Sequence, residues 1–573
     1  MNIREIIRLI PHKYRRQGIA VTFSVLLQAL LNFIGLALLV PLLLLILDPQ
    51  SIDSASWAGK FRTGMHIPND TVFIIVVCAG TGGLLVIKNA LNLLINSFRV
   101  KYVNRLFLYF SEKMYATCFR KGLLYVKQHH TTAFTHKING ICYIFVQGIV
   151  SRLFVMGGEA LLLLMIGGAL LLYSYFLALL LALCLVPVTW FYYFRIRKKI
   201  SQYGKSENET WRKQMRLTTE TFRGYSEIRI NHAFPFFVGR FRESLSRIAF
   251  YRERLERMLS IPGGITECGI AAGMILLVLF NKGDASMKVA FGLFAVAALR
   301  LMPSIRTLIT GRMQLKNNEY AIDTIREALE ADDESPETDD WLSVPKTPLH
   351  FKQKIEISGL TFRFPDAGAD EPPVIRNFSL TITKGERIGI RGVSGAGKTT
   401  LLHLLLGLYS PREGSIRIDG IPLEASRYRA WHDLIGYVPQ DVFIMDGTLI
   451  ENIALGKMPE EIDRKRIADV LETVRLSALV ASLPEGVDTP IGENGCRLSG
   501  GQRQRIGIAR ALYKQAEALF FDEATSLLDS ATEKEITESI RELSDNRREL
   551  TIVMVSHRES LLAFCDRVVD LDV

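Results

Sequence analysis

The stretch RIGIRGVSGAGKTTLLHLLLGL, Arg387 to Leu408, decides the fold of the half of the chain in which it lies. Apolar Ile388 and Ile390 alternate, glycine and small residues follow from Gly392, and a leucine-rich segment closes the stretch. That order reads as strand, loop, helix. The spacing GxxxxGK[ST] is met by Gly392, Gly397, Lys398 and Thr399. Glycines there let successive backbone N–H groups turn inward toward an anion, and the helix N-terminus adds positive potential. The expected phosphate cradle is therefore Gly392, Val393, Ser394, Gly395, Ala396, Gly397, Lys398, Thr399 and Thr400. Lys398 is placed to reach the β- and γ-phosphates of a nucleotide, and Thr399 to ligand Mg²⁺. A second strand carrying a carboxylate is expected beside the first, and ALFFDEATSLLD supplies it. Leu519, Phe520 and Phe521 form its apolar run, and Asp522 at its end acts on Mg²⁺ through the metal's water shell. Glu523, one residue on, faces the opposite side of the strand end. There it can polarise an attacking water as a general base; the competing role is a cap on the following turn.

The rest of the chain differs in character. Its 573 residues exceed one hydrophobic core. Hydrophobic residues make up 49%, mean hydropathy is +0.18 and charge still reaches 22%, as expected when an apolar half joins a water-soluble half. No basic run interleaves with aromatics, so the net charge of +10 does not indicate nucleic acid. It suits the Lys and Arg that gather in cytoplasmic loops of membrane proteins. Seven scattered cysteines with no CxxC pair give neither a metal cluster nor a disulfide framework. Apolar runs of about 20 residues, enough to span a bilayer, recur near 19–47, 72–98, 148–172, 175–194, 262–281 and 286–309. Six spans are expected within a membrane domain over 1–326. Arg4, Arg8, Lys13, Arg15 and Arg16 precede the first span, RIRKKI (Arg195 to Ile200) follows the fourth, and Lys60, Arg62 and Lys282 are sparse in the opposite loops. The positive-inside rule then puts both termini in the cytoplasm. The segments 99–147 and 195–261 keep helical apolar spacing and read as helices extending beyond the bilayer. An acidic, proline-punctuated linker is expected over 327–353, and an α/β domain over 354–573.

Together these features resemble an ATP-binding cassette (ABC) transporter half of the exporter type, with six spans fused ahead of one nucleotide-binding domain. The resemblance implies ATP and Mg²⁺ as cofactors and a second half-transporter subunit as partner, a second copy being preferred over a related chain. It also gives a use to RLSGGQRQR, Arg497 to Arg505, a second glycine-rich turn with no triphosphate of its own. By resemblance, Ser499, Gly500, Gly501 and Gln502 approach the γ-phosphate held by the opposite subunit. Phe364 takes the place of the aromatic that stacks on adenine, where tyrosine is usual. Gln440 matches the glutamine that senses Mg²⁺ and the water, Asp529 the residue that speaks to the opposite site, and His557 the histidine that contacts the γ-phosphate. TPIGENG, Thr489 to Gly495, is similar to the exporter loop that faces the coupling helices through Glu493, and Lys127 to Asn139 lies where a first coupling contact is expected.

The implied activity is ATP-driven export or flipping by alternating access in a bacterial cytoplasmic membrane. LRLMPSIRTL (Leu299 to Leu308) and RGYSEIRI are similar to flippases of lipid-linked oligosaccharides and related polar lipids. Export of peptides or small hydrophobic molecules, or a regulatory membrane ATPase without cargo, stay open at this level. Lys88, Glu159, Glu267 and Arg300 fall inside predicted spans. They read equally as a polar path for a headgroup or as helix–helix salt bridges.

Overall fold

The computed structural model describes residues 3–39, 70–280, 286–333, 348–368, 371–393, 395–492, 495–523 and 530–571. The end of the first expected span, Lys60, Arg62, Lys282, Ser394, Glu493 and Asp529 lie outside them. The chain forms two units, Met1–Lys121 with Tyr125–Thr338, and Gly122–Leu124 with Asp339–Val573.

In the first unit the described residues are helical. α1 (Ile3–Leu9) and α2 (His12–Ala37) are followed by α3 (Asp70–Arg120), α4 (Gly122–Gln128) and α5 (Thr131–Thr135). Two stretches of wide π-helix, His136–Ile141 and Ile144–Ser151, lead into α6 (Arg152–Tyr173). α7 (Tyr175–Arg223), α8 (Tyr225–Ile230), α9 (Phe234–Phe280), α10 (Ser286–Asn317) and α11 (Tyr320–Asp333) complete it. α3, α7 and α9 run for 51, 49 and 47 residues. At about 1.5 Å per residue each exceeds twice the ~30 Å hydrocarbon thickness, so each carries a long polar extension rather than a separate soluble hairpin.

Five stretches among the described residues are long and apolar enough to cross a membrane: His12–Ala37, Thr71–Arg120, Thr131–Tyr173, Phe234–Leu276 and Gly292–Asn317. The helical membrane region is thus present, whereas the count of six is not reproduced. The expected span at 175–194 is the start of α7, not one of these five. Two of the four charged residues expected within spans meet each other. Arg300 on α10 approaches Glu159 on α6 at 3.6 Å, and Ser304 donates to the same carboxylate at 2.6 Å. Lys88 packs its stem against Gly35 of α2, and Glu267 is exposed on α9. Glu5 of α1 forms an ion pair with Arg326 of α11. α11 extends to Asp333 because Ala321, Ile322 and Ile325 bury one face of it. The first residues of the acidic stretch are therefore helical, and 334–347 lie outside the described residues.

The second unit is built on two sheets. β1 (Lys354–Phe362), β2 (Ile375–Thr383), β4 (Glu413–Ile418) and β5 (Ile421–Pro422) form an antiparallel sheet in the order β2-β1-β4-β5. β3 (Arg387–Arg391), β6 (Ile435–Val438), β7 (Ala518–Asp522), β8 (Thr551–Val555) and β9 (Arg567–Asp570) form a parallel sheet in the order β6-β7-β8-β3-β9. All five residues of β7 and of β8 are buried, the pattern of parallel strands covered on both faces. α12 (Lys398–Leu405) buries Leu401, Leu402, Leu404 and Leu405, which is why its leucines cluster without an amphipathic gap. α13 (Ala425–Leu434) drives Trp431 into the core, where its indole N–H donates to the Leu405 carbonyl at 2.8 Å. α14 (Leu449–Ile453), α15 (Arg464–Thr473), α16 (Ser477–Ser482) and α17 (Gly500–Tyr513) form a helical layer, with α18 (Ser530–Asn546) and α19 (Glu559–Leu562) beyond β7 and β8. Leu123 and Leu124 of the second unit pack partly buried on its core.

Candidate nucleotide site

Parallel pairing determines where the chemistry falls. Ile390 on β3 and Asp522 on β7 both pair with Val555 on β8, and Val438 on β6 pairs with Phe521 on β7. Everything that follows these strands therefore emerges at one sheet edge, where open α/β sheets place ligands. The loop after β3, Gln440 after β6, Glu523 after β7 and His557 after β8 meet there. Two backbone bonds extend the ladder to this edge: the Glu523 N–H donates to the Val555 carbonyl at 2.9 Å, and the Ser556 N–H to Ile390 at 3.3 Å.

The loop itself has the shape of an anion cradle. Gly395 and Gly397 hold φ of +88° and +86°, a region open to glycine at little cost. A Cβ at Gly392 would lie 2.8 Å from the Leu571 carbonyl, so the close approach of loop and strand also demands glycine. Lys398 is buried, and its ammonium donates to the carbonyls of Gly392 and Val393, both at 3.0 Å. That grip curls the loop around the lysine head at the N-terminus of α12. The Thr399 hydroxyl donates to Asp522 Oδ1 at 3.1 Å. A hydroxyl and a carboxylate so placed are hard oxygen donors of the kind Mg²⁺ takes. The residues present thus fit a nucleotide phosphate chain with its metal.

Beside this pair stands a second cluster. Gln440 Nε2 donates to Glu523 Oε2 at 3.4 Å, and His557 Nε2 lies 3.0 Å from Glu523 Oε1. Glu523 adopts φ of +47°, a left-handed backbone that costs a non-glycine residue on the order of 1–3 kcal/mol and that clusters at functional positions. The twist takes its side chain out of the strand alternation and between Gln440 and His557. Sequence reading did not single out Tyr437. Its hydroxyl donates to Asp522 Oδ2 at 3.5 Å, and burial, then the neighbouring Asp522 charge, push its pKa above the ordinary tyrosine value. The only signal was its position three residues before Gln440 in the same short strand.

Phe364 sits in an aromatic group with Phe362 and Tyr409, ring centroids 5.2 and 6.0 Å away. Ser499 forms a capping box at the head of α17. Its Oγ accepts from the Gln502 N–H at 3.2 Å, and Gln502 Oε1 accepts from the Ser499 N–H at 2.8 Å. A Cβ at Gly500 would meet nothing within 4 Å, so the turn opens outward. Among the described residues no hydrogen bond or ion pair joins residues 499–502 to the phosphate loop.

Comparison with known proteins agrees with this geometry. Residues 375–526 match the family described as ABC transporter. An ATP-dependent lipid A-core flippase from Burkholderia orbicola (strain AU 1054) is 30% identical over 404 residues, covering 69% of this chain and 65% of that protein. Another ATP-dependent lipid A-core flippase, from Saccharophagus degradans, is 31% identical over 360 residues, covering 62% and 58%. The chain thus spans less than two thirds of these relatives' length. A solved structure of a bacterial Atm1-family ABC exporter with ATP bound superposes with a TM-score of 0.78 at 21% identity, covering 97% of this chain and 93% of that one. The chain has the fold of an ABC exporter, a helical membrane region and an ATP-binding domain. Residues 375–526 thus form an ABC transporter domain.

Proposed function

We propose that two copies of this chain hydrolyse ATP at two shared sites and use that cycle to move a lipid with a polar headgroup across the membrane. The observation that carries the reading is the meeting of Gln440, Glu523 and His557 within hydrogen-bond distance beside the Lys398 loop. In that reading Lys398 and the amides of Gly392 to Thr400 hold the phosphates, and Phe364 flanks the base. Thr399, Asp522 and Gln440 hold Mg²⁺, which when bound neutralises charge on the phosphate oxygens. Glu523 accepts the proton of the attacking water, with His557 and Gln440 fixing its carboxylate. Ser499, Gly500, Gly501 and Gln502 serve the site of the opposite subunit, since their turn is open and makes no bond to the loop of its own chain.

A lipid cargo is supported by the printed names of the relatives and by the Glu159–Arg300–Ser304 group among apolar helices. The same relatives are bacterial, which supports placement in a bacterial inner membrane, and the Lys and Arg ahead of the first span support cytoplasmic termini. Reconstitution into liposomes bearing a headgroup-labelled lipid provides the test. ATP-dependent movement of label between leaflets is expected. ATP turnover with no lipid crossing would overturn the cargo while leaving the ATPase reading intact.

A further inference from the structure

A cavity of about 390 Å³ lies in the first unit and is lined by none of the residues discussed above as nucleotide-binding or catalytic. That volume is within the range of small-molecule sites, roughly 300–1,000 Å³. Ile10, Val25, Leu26, Leu153 and Phe154 wall it, with Arg15 at the basic end of α2 on its border. Its lining is apolar apart from Arg15, Thr22 and Tyr102; the Thr22 hydroxyl donates to the Gly18 carbonyl at 2.9 Å, whereas the other two lack their natural counterpart.

The first is Tyr102. Its side chain is only 3% exposed, and its hydroxyl has no hydrogen-bond partner among the described residues. Leaving a buried hydroxyl unpaired costs about 1–3 kcal/mol. Room for it comes from Gly18, where any Cβ would stand 2.7 Å from the Tyr102 oxygen. The second is Arg15. Its guanidinium donates to the carbonyls of Ile10 at 2.9 Å and Arg8 at 3.1 Å and touches His12, but forms no ion pair with a carboxylate among the described residues. The cavity therefore presents a fixed positive charge at its rim, with an idle donor buried in its wall beside Gly18. Ile7, Ile19 and Leu26 on its border are exposed by 52%, 59% and 37%, continuing the apolar lining onto a surface that a membrane would cover.

We propose that this cavity binds one acidic membrane phospholipid per chain. An acyl chain occupies the apolar walls, an oxygen of the glycerol ester or phosphate accepts from Tyr102, and the anionic headgroup rests on Arg15. The cavity lining does not include the Glu159–Arg300–Ser304 group that supports the cargo reading, so the two are tested by different substitutions.

Gly157 gives the means to test it. It lines the cavity, and a Cβ there meets nothing within 4 Å, so a larger side chain grows into the space before it strikes protein. The full chain, delipidated in detergent, is titrated with phosphatidylglycerol or phosphatidylcholine of matched acyl chains, and bound lipid is counted by native mass spectrometry. One phosphatidylglycerol should bind ahead of any phosphatidylcholine. Gly157→Phe should abolish that first binding, Arg15→Gln should erase the headgroup preference, and Tyr102→Phe should weaken binding about five-fold, the worth of one hydrogen bond. A binding series unchanged by Gly157→Phe, equal binding of the two lipids, or a detergent molecule that phosphatidylglycerol does not displace would each overturn the proposal. If Gly157→Phe misfolds, Tyr102→Phe, which removes a single atom, decides the matter alone.

Discussion

Glu523 combines a structural cost with the chemical task proposed for it. Its left-handed backbone is held by the bond from its N–H to Val555, and its carboxylate by His557 and Gln440. Glu523→Gln keeps shape and backbone but removes the proton acceptor. ATP turnover should fall by about 10²–10⁴-fold while nucleotide binding persists. Phosphate release and equilibrium nucleotide binding measure the two separately, and turnover at the normal rate would move the base elsewhere. Glu523 was singled out in the sequence by its place after the apolar strand that ends in Asp522, Gln440 and His557 by resemblance alone, and the three come together in the structure. Tyr437 was not singled out: its reach to Asp522 depends on β6 pairing with β7, and nothing local in IGYVPQ announces that neighbour.

At the scale of elements, α17 depends on how closely it can lie on β6. A Cβ at Gly436 would stand 2.5 Å from the Ala511 Cβ and 2.7 Å from Leu519, so small residues on both elements set the distance. Gly436→Val should cost about 1–3 kcal/mol by overpacking and should displace the head of α17 that Ser499 caps. A lower thermal midpoint together with weaker ATP turnover is expected, and a variant that loses neither would show that the helix position is irrelevant to the site. Element type was readable from pattern: buried parallel strands such as TIVMV are continuous apolar runs, and membrane helices are long ones. Element length was harder to read. The extensions of α3 and α9 past their apolar portions were read from helical spacing over 99–147 and 195–261, but the ends at Arg120 and Phe234 were not. The α11 residues past Glu327 were read as linker from their acid content, although Ile322 and Ile325 had already fixed a buried face.

For the whole molecule, the decisive question is whether a site is completed within one chain or between two. Chains carrying only Lys398→Ala and chains carrying only Ser499→Ala should each be nearly inactive alone. Mixed, they should recover activity, because one of the two shared sites then combines an intact lysine with an intact serine. Phosphate release from co-reconstituted chains reads this directly, and no recovery on mixing would mean that each chain supplies both turns to its own nucleotide. The pairing of Glu5 with Arg326 bears on how the membrane unit comes to be assembled at all. The two are 321 positions apart, so the ribosome has finished almost every helix of that unit before the earliest one can be fastened. Until that moment the short N-terminal helix is held by apolar packing, Ile6 sharing a core with residues of α2, α3 and α6. A chain interrupted before Arg326 should therefore leave this helix packed but without its ion pair.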